Sequence, residues 1–276
     1  MRIGILTEAI ARKGRGSGIA FRRLLTHILT QNPGHKVLLL HYTPDPSEDL
    51  YQQAETVILP PRPWAASGAI RSLQLDIVHY HGGGARMPIW FVDAKRVITL
   101  HGDAISFLGY YQGLNWRGHL YVKCLKRFYL HAMDYVFTDS EHSKHLLAER
   151  YDLPLDKISV VHDGVDRQFR PLSLAECEDV LDRYAIRRPF FFHLSHFGWR
   201  KNPETLLRAF ARSKSRDSCR LVIGGKGWEN PQTKQLIDSL GIQDQVLFLG
   251  FLPKEDVIKL FSLACLLYTS DAADEL

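Results

Sequence analysis

Short apolar runs alternate with amphipathic stretches from the first residue onward. The runs Ile3–Leu6, Val37–Leu40, Val57–Leu59, Ile77–Tyr80, Val97–Leu100, Tyr135–Thr138 and Ile158–Val161 read as buried strands. Between several of them lie helical patterns over Ala20–Thr30, Leu120–Ala132 and Ser143–Arg150. Strands that alternate with helices predict an α/β fold with a parallel sheet. A second series starts after Arg170-Pro171-Leu172, with strands Phe190–Leu194, Arg220–Ile223 and Val246–Leu249 and helices Pro203–Ser213, Pro231–Leu240 and Lys254–Ala264. The restart places a boundary between residues 170 and 171. Three strands are few for an open parallel sheet, which usually has about five or six, so the second domain reads as incomplete.

The closing segment needs separate treatment. Residues Cys265 to Glu275 follow, in order, the translation of a transposon-end sequencing adapter. Residues 265–276 are therefore expected to be non-native, with the native reading leaving off at about Ala264.

Composition narrows the class. The 276 residues are 45% hydrophobic and 24% charged, as in an ordinary soluble globular protein. No apolar run approaches the roughly 20 residues needed to span a bilayer, and with the strand-like Ile3–Leu6 opening the sequence no secretory signal is expected. Cys124, Cys177, Cys219 and Cys265 are too scattered for a zinc site or a disulfide framework, which fits a reducing cytoplasm. The net charge is 35 − 30 = +5, with Arg2, Arg12, Lys13, Arg15, Arg22 and Arg23 crowded near the N-terminus. Such a cluster attracts phosphate, whether on a nucleotide, a lipid or a nucleic acid.

Candidate chemistry lies at predicted strand ends. Gly14-Arg15-Gly16-Ser17-Gly18 stands between the first strand and a helix, where glycines let phosphate approach unpaired N–H groups. A plain turn explains it equally well. Arg200-Lys201-Asn202 follows another strand, where cations meet phosphates in open α/β sheets, although a solvated basic loop has the same composition. His79 and His81 flank one strand end and His101 closes another, before Gly102-Asp103; structural histidines are the competing reading. No HExxH motif, paired loop carboxylates or Cys/His cluster points to a metal, and Asp163-Gly164-Val165-Asp166 reads equally as a turn.

Taken in order, these pieces resemble the retaining glycosyltransferases of family 4. Asp139-Ser140-Glu141-His142-Ser143 and Lys157-Ile158-Ser159-Val160-Val161-His162-Asp163-Gly164-Val165-Asp166 are similar to the segment closing that family's N-terminal domain. Arg200-Lys201-Asn202, with Leu206-Leu207-Arg208-Ala209-Phe210, is similar to its "R-K-N-x-x-x-L-L-x-A-F". Gly224-Gly225-Lys226-Gly227 and Gly250-Phe251-Leu252 fit the next two strand ends, and Asp76 to His81 and Thr99 to Asp103 fit the N-terminal domain.

The resemblance implies a GT-B fold: two Rossmann-like parallel-sheet domains, residues 1–170 on the acceptor side and a partial donor domain at 171–264. It implies transfer of a sugar from a nucleotide-diphosphate donor to a glycan or lipid-linked acceptor, with retention of configuration and without metal or other cofactor. By similarity Lys201 and Arg200 hold the diphosphate, with Gly16 and Gly18 bringing N–H groups to the same phosphates. His101 lines the reaction centre, and Gly225 and Phe251 lie near the nucleotide. His79, His81 and Asp103 are acceptor-side candidates. His196 stands where the family often has Arg, as a donor-phosphate contact of reduced charge.

The family's downstream carboxylate segment would follow Ala264, so the chain as written is expected to be inactive. An anionic membrane surface is a further expected partner, met by the basic N-terminal residues and the aromatic-basic stretch Trp116–Tyr129, with a cytoplasmic or peripheral location on the inner face. Nucleic acid is not expected, since no aromatic-basic repeat, zinc finger or helix-turn-helix accompanies the charge. The rival readings are a nucleotide-binding GT-B protein without catalysis and a sugar-nucleotide epimerase or phosphorylase, because fold alone does not separate these chemistries.

Overall fold

The computed structural model describes residues 1–11, 16–31, 34–43, 48–82, 87–101, 121–198 and 201–268. The chain divides into two compact units, Met1–Asp163 and Gly164–Leu276. The division falls a few residues before the boundary drawn at 170, at the start of the polar stretch that separates the two strand series.

The first unit is a seven-stranded parallel sheet. Its strands are β1 (Arg2–Leu6), β2 (Lys36–His41), β3 (Glu55–Ile58), β4 (Ile77–His81), β5 (Lys95–Leu100), β6 (Tyr135–Thr138) and β7 (Ile158–Val160). They lie in the order β3-β2-β1-β4-β5-β6-β7. Among the described residues the α-helices are α1 (Glu8–Ala11), α2 (Gly16–Thr30), α3 (Leu50–Gln53), α4 (Pro63–Ser72), α5 (Arg127–His131) and α6 (Glu141–Tyr151), with a π-helical segment over Tyr121–Lys126. Strand β2 is buried along Val37–His41, which explains its continuous apolar run: both faces are covered. Phe21, Leu25 and Leu39 fill one face of the sheet, while Leu38, Leu40, Ile70 and Val78 fill the other. The order reverses between β1 and β4, and in open parallel sheets ligands bind beyond the carboxyl ends of strands at such a reversal.

The second unit repeats the plan. Strands β8 (Phe190–Leu194), β9 (Arg220–Gly224), β10 (Val246–Gly250) and β11 (Leu266–Tyr268) form a parallel sheet ordered β10-β9-β8-β11. Its helices are α7 (Glu178–Arg183), α8 (Pro203–Arg212), α9 (Pro231–Leu240) and α10 (Lys254–Leu263). Phe192, Val222, Leu252 and Leu260 pack on one face and Leu207, Phe210, Ile223 and Trp228 on the other.

Strand β11 falls within the segment set aside in the sequence, with Leu266 opposite Phe191. It completes the sheet beside β8, with Leu267 opposite Phe192 and Tyr268 opposite His193.

Helix starts follow local rules. Both α8 and α9 carry Pro in the first turn, where the missing N–H costs nothing. The side chain of Asn230 accepts a hydrogen bond from the Thr233 N–H at 2.9 Å. Asn230→Ala is expected to lower stability by about 1 kcal/mol, the ordinary worth of such a cap, measured by urea unfolding.

Candidate functional site

In the first unit the carboxyl ends of four adjacent strands converge on titratable side chains. His79 and His81 sit two residues apart on β4, hence on one face of the sheet. His101 directly follows β5, Asp139 follows β6, and His162 and Asp163 follow β7. The Phe21 ring of α2, itself buried, stacks on His81 with centroids 3.8 Å apart. His79 pairs through Nε2 with the Thr99 hydroxyl at 2.8 Å.

Two different electrostatic settings result. Burial favours the neutral imidazole, pushing His79 down to about 4. His81 falls to about 3, from burial first and then from the charge of His101. His101 moves the other way: the Asp139 carboxylate first, and the nearby Asp163, raise its pKa against the cost of burial. The Asp139 carboxyl is correspondingly lowered, chiefly by His101. Nδ1 of His101 lies 3.7 Å from Asp139 Oδ2 and 3.6 Å from Asp163 Oδ2, ion-pair distances that exceed hydrogen-bond reach. On the other side of the ring, Nε2 of His101 lies 3.2 Å from Nε2 of His81.

Among the described residues, His101, Asp139 and Asp163 bring ligand-type atoms within 4.8 Å of one another. A cation there would compete with the His101 proton for both carboxylates.

Sequence reasoning found His79, His81 and His101 but missed the role of Asp139, which it noted only inside a motif. The signal was its place as the residue immediately after a predicted strand. Helix α2 begins at Gly16, so Gly16 and Gly18 lie in its first turn rather than in a preceding loop, and Gly18 is buried. Their N–H groups belong to the turn that lacks intrahelical acceptors. Asp103 and Arg200 lie outside the described residues.

In the second unit the loops after β8, β9 and β10 are laced together. The Ser195 N–H donates to Gly224 O at 3.1 Å, Phe197 N–H to Lys226 O at 2.9 Å, and Gly225 N–H to Gly250 O at 2.6 Å. Trp228, 1% exposed, donates its Nε1–H to Ser195 O at 2.9 Å. Gly225 has φ of +112°, and a Cβ built on it would stand 1.9 Å from Ser195 O. Only glycine fits this crossing of two backbones. The loop after β8 carries exposed His196 and then Lys201, whose N–H donates to Gly198 O at 3.0 Å before α8 begins. Phe251, 71% exposed, presents its ring beneath Lys226, with Nζ 5.3 Å from the centroid. Thus Lys201, Gly225 and Phe251 all occupy the carboxyl edge of one sheet, which carries a cation, a close backbone crossing and an exposed aromatic ring.

Two units of this kind, each a parallel α/β sheet with its chemistry at the carboxyl edge, define a GT-B fold. The chain matches Glycosyltransferase Family 4 over residues 20–169 and Glycosyl transferases group 1 over residues 183–273. The first match spans more than half of the chain, which belongs to glycosyltransferase family 4. It is 26% identical to the alpha-monoglucosyldiacylglycerol synthase of Streptococcus pneumoniae over 285 residues, covering 94% of this chain and 63% of that protein. The chain thus spans less than two thirds of this curated relative. A glycosyltransferase from Rickettsia africae shares the fold with TM-score 0.70 at 18% identity, over 96% of this chain and 72% of its own. Anabaena HepE, solved with UDP and glucose, gives 0.69 at 15% identity, over 97% and 73%.

Proposed function

We propose that the protein transfers a sugar from a nucleotide-diphosphate donor to a glycan or lipid-linked acceptor, with retention of configuration and without metal. The observation that carries this reading is the Lys201–Gly225–Phe251 edge of the second sheet, in a chain of family 4. Lys201 offers charge to the diphosphate and offsets the negative charge that builds on the leaving group. The bound UDP of the Anabaena neighbour supports a uridine diphosphate sugar as donor. In the first unit, His101 is proposed as the residue that contacts the sugar, and His79 and His81 as acceptor-side residues.

The pneumococcal relative's name supports a lipid acceptor, and the surface supports contact with a membrane face. Trp90 and Phe128 stack at 5.5 Å between centroids, both substantially exposed, beside exposed Phe91 and Leu125. Exposed aromatics of this kind settle at the headgroup level of a bilayer. No helix among the described residues is long and apolar enough to cross a membrane.

Lys201→Ala is expected to weaken binding of a uridine diphosphate sugar about 10- to 100-fold, the worth of one charge-assisted hydrogen bond. Isothermal titration of wild type and variant measures it. Equal binding by the variant would overturn the reading.

A further inference from the structure

We propose that Asp139 is a positioning residue that sets both the orientation and the proton content of His101. Four strand ends build the arrangement. His81 is held flat against Phe21 in a buried position that favours a neutral ring. Only one proton fits in the 3.2 Å between the Nε2 atoms of His81 and His101. Giving that proton to His101 leaves His81 as the acceptor, with its own hydrogen on Nδ1. The opposite nitrogen of His101 then faces two carboxylates, Asp139 and Asp163, neither of which can donate when ionised. A neutral His101 accepting from His81 would meet the same contacts, but the two facing carboxylates favour the cation, with hydrogen on both ring nitrogens.

Asp139 and Asp163 are not equivalent partners. The side chain of Asp163 is 59% exposed and its attraction is screened by water, while that of Asp139 is 31% exposed. The backbone of Asp139 is also pinned, because its carbonyl accepts from His162 Nδ1 at 2.9 Å. Among the described residues, the titratable groups facing this pair are His81 and His79 from β4, Asp163, and His162, whose ring is turned to the Asp139 backbone.

The inference rests on the proposed transferase only in giving His101 a substrate to face. A substrate oxygen reaching Nε2 would replace a neutral imidazole as acceptor and receive a hydrogen bond from a cation. Loss of the His101 proton at high pH would remove that donor. In Asp139→Asn the loss would come at lower pH.

The test is titration of the imidazole resonances of the full chain by long-range nitrogen–proton NMR, which needs no activity. In the wild type, His101 is expected to carry hydrogen on both nitrogens at pH 7 and to titrate above the ordinary histidine midpoint, while His81 stays neutral with its hydrogen on Nδ1. Asp139→Asn is expected to lower the proton affinity of His101 about tenfold, and Asp163→Asn to lower it less. Where transfer is measurable, the alkaline limb of kcat against pH should move down with Asp139→Asn.

A wild-type His101 titrating at or below the ordinary midpoint would overturn the proposal without any variant. An unmoved midpoint in a folded Asp139→Asn protein would do so as well, as would stoichiometric Zn2+ that displaces the His101 proton. If no donor binds and no sugar is transferred, the proposed function fails while the titration still decides the role of Asp139.

Discussion

Gly225→Ala is expected to cost about 3–5 kcal/mol of stability and to weaken donor binding at least tenfold. Two independent penalties meet at this position. A φ of +112° lies outside the regions open to a residue with a side chain, which alone costs about 1–3 kcal/mol. The new methyl would also stand 1.9 Å from Ser195 O, a backbone atom that cannot rotate away. Relief requires the loop after β8 to move. That movement strains the Trp228–Ser195 and Ser195–Gly224 hydrogen bonds, worth about 1 kcal/mol each. The displaced loop is the one that leads to Lys201, so stability and binding fall together. Gly198→Ala supplies the control: nothing lies within 4 Å of its added Cβ and its φ is not positive, so a change below about 0.5 kcal/mol is expected. Urea unfolding and donor titration of both variants check the pair. A Gly225→Ala protein as stable as the control would show that the two loops do not cross as tightly as the geometry says.

Strands were legible in the sequence because a parallel sheet covered on both faces is built from largely apolar runs, so Phe190–Leu194 and Tyr135–Thr138 stand out with their observed limits despite His193 and Thr138. Helix α4 was missed. Its sequence, Pro63-Trp64-Ala65-Ala66-Ser67-Gly68-Ala69-Ile70-Arg71-Ser72, buries small residues, Ala66 and Ser67, together with Ile70, and leaves Trp64 exposed. Periodicity read from bulky side chains cannot register such a face. The start of α2 was placed too late because Gly16 and Gly18 were read as loop formers, whereas glycine also suits a helix's first turn when backbone must stay open to a ligand. At the site, histidines and glycines stood out as residue types. Asp139 acquires its meaning only from sheet order, since neighbouring β5 and β6 set their C-terminal residues side by side. Sequence separation hides that pairing from any local motif.

Acidification is expected to destabilise the first unit well before its carboxylates are fully protonated. His79 and His81 have folded-state values of about 4 and about 3, below the ordinary histidine value of roughly 6.5 that an unfolded chain would show. A group lowered in this way leaves the folded state short of protons relative to the unfolded one. Its contribution is fully present above about pH 6.5 and is lost as pH falls toward the folded value. For His79 alone the loss at pH 4.5 is on the order of 2–3 kcal/mol, about a quarter of the stability of a typical domain. His101 acts with the opposite sign. Its raised value makes its contribution complete below about pH 6.5 and removes it as pH rises through the folded value. Stability should therefore peak near neutrality and fall on both sides, more steeply toward acid because two buried rings oppose one paired one. Urea midpoints at pH 7 and pH 4.5 measure the acid limb. His79→Gln, which keeps a partner for the Thr99 hydroxyl but cannot titrate, should recover its share of the difference. A midpoint difference as large in the variant as in the wild type would remove His79 from the explanation and leave the carboxylates to account for it.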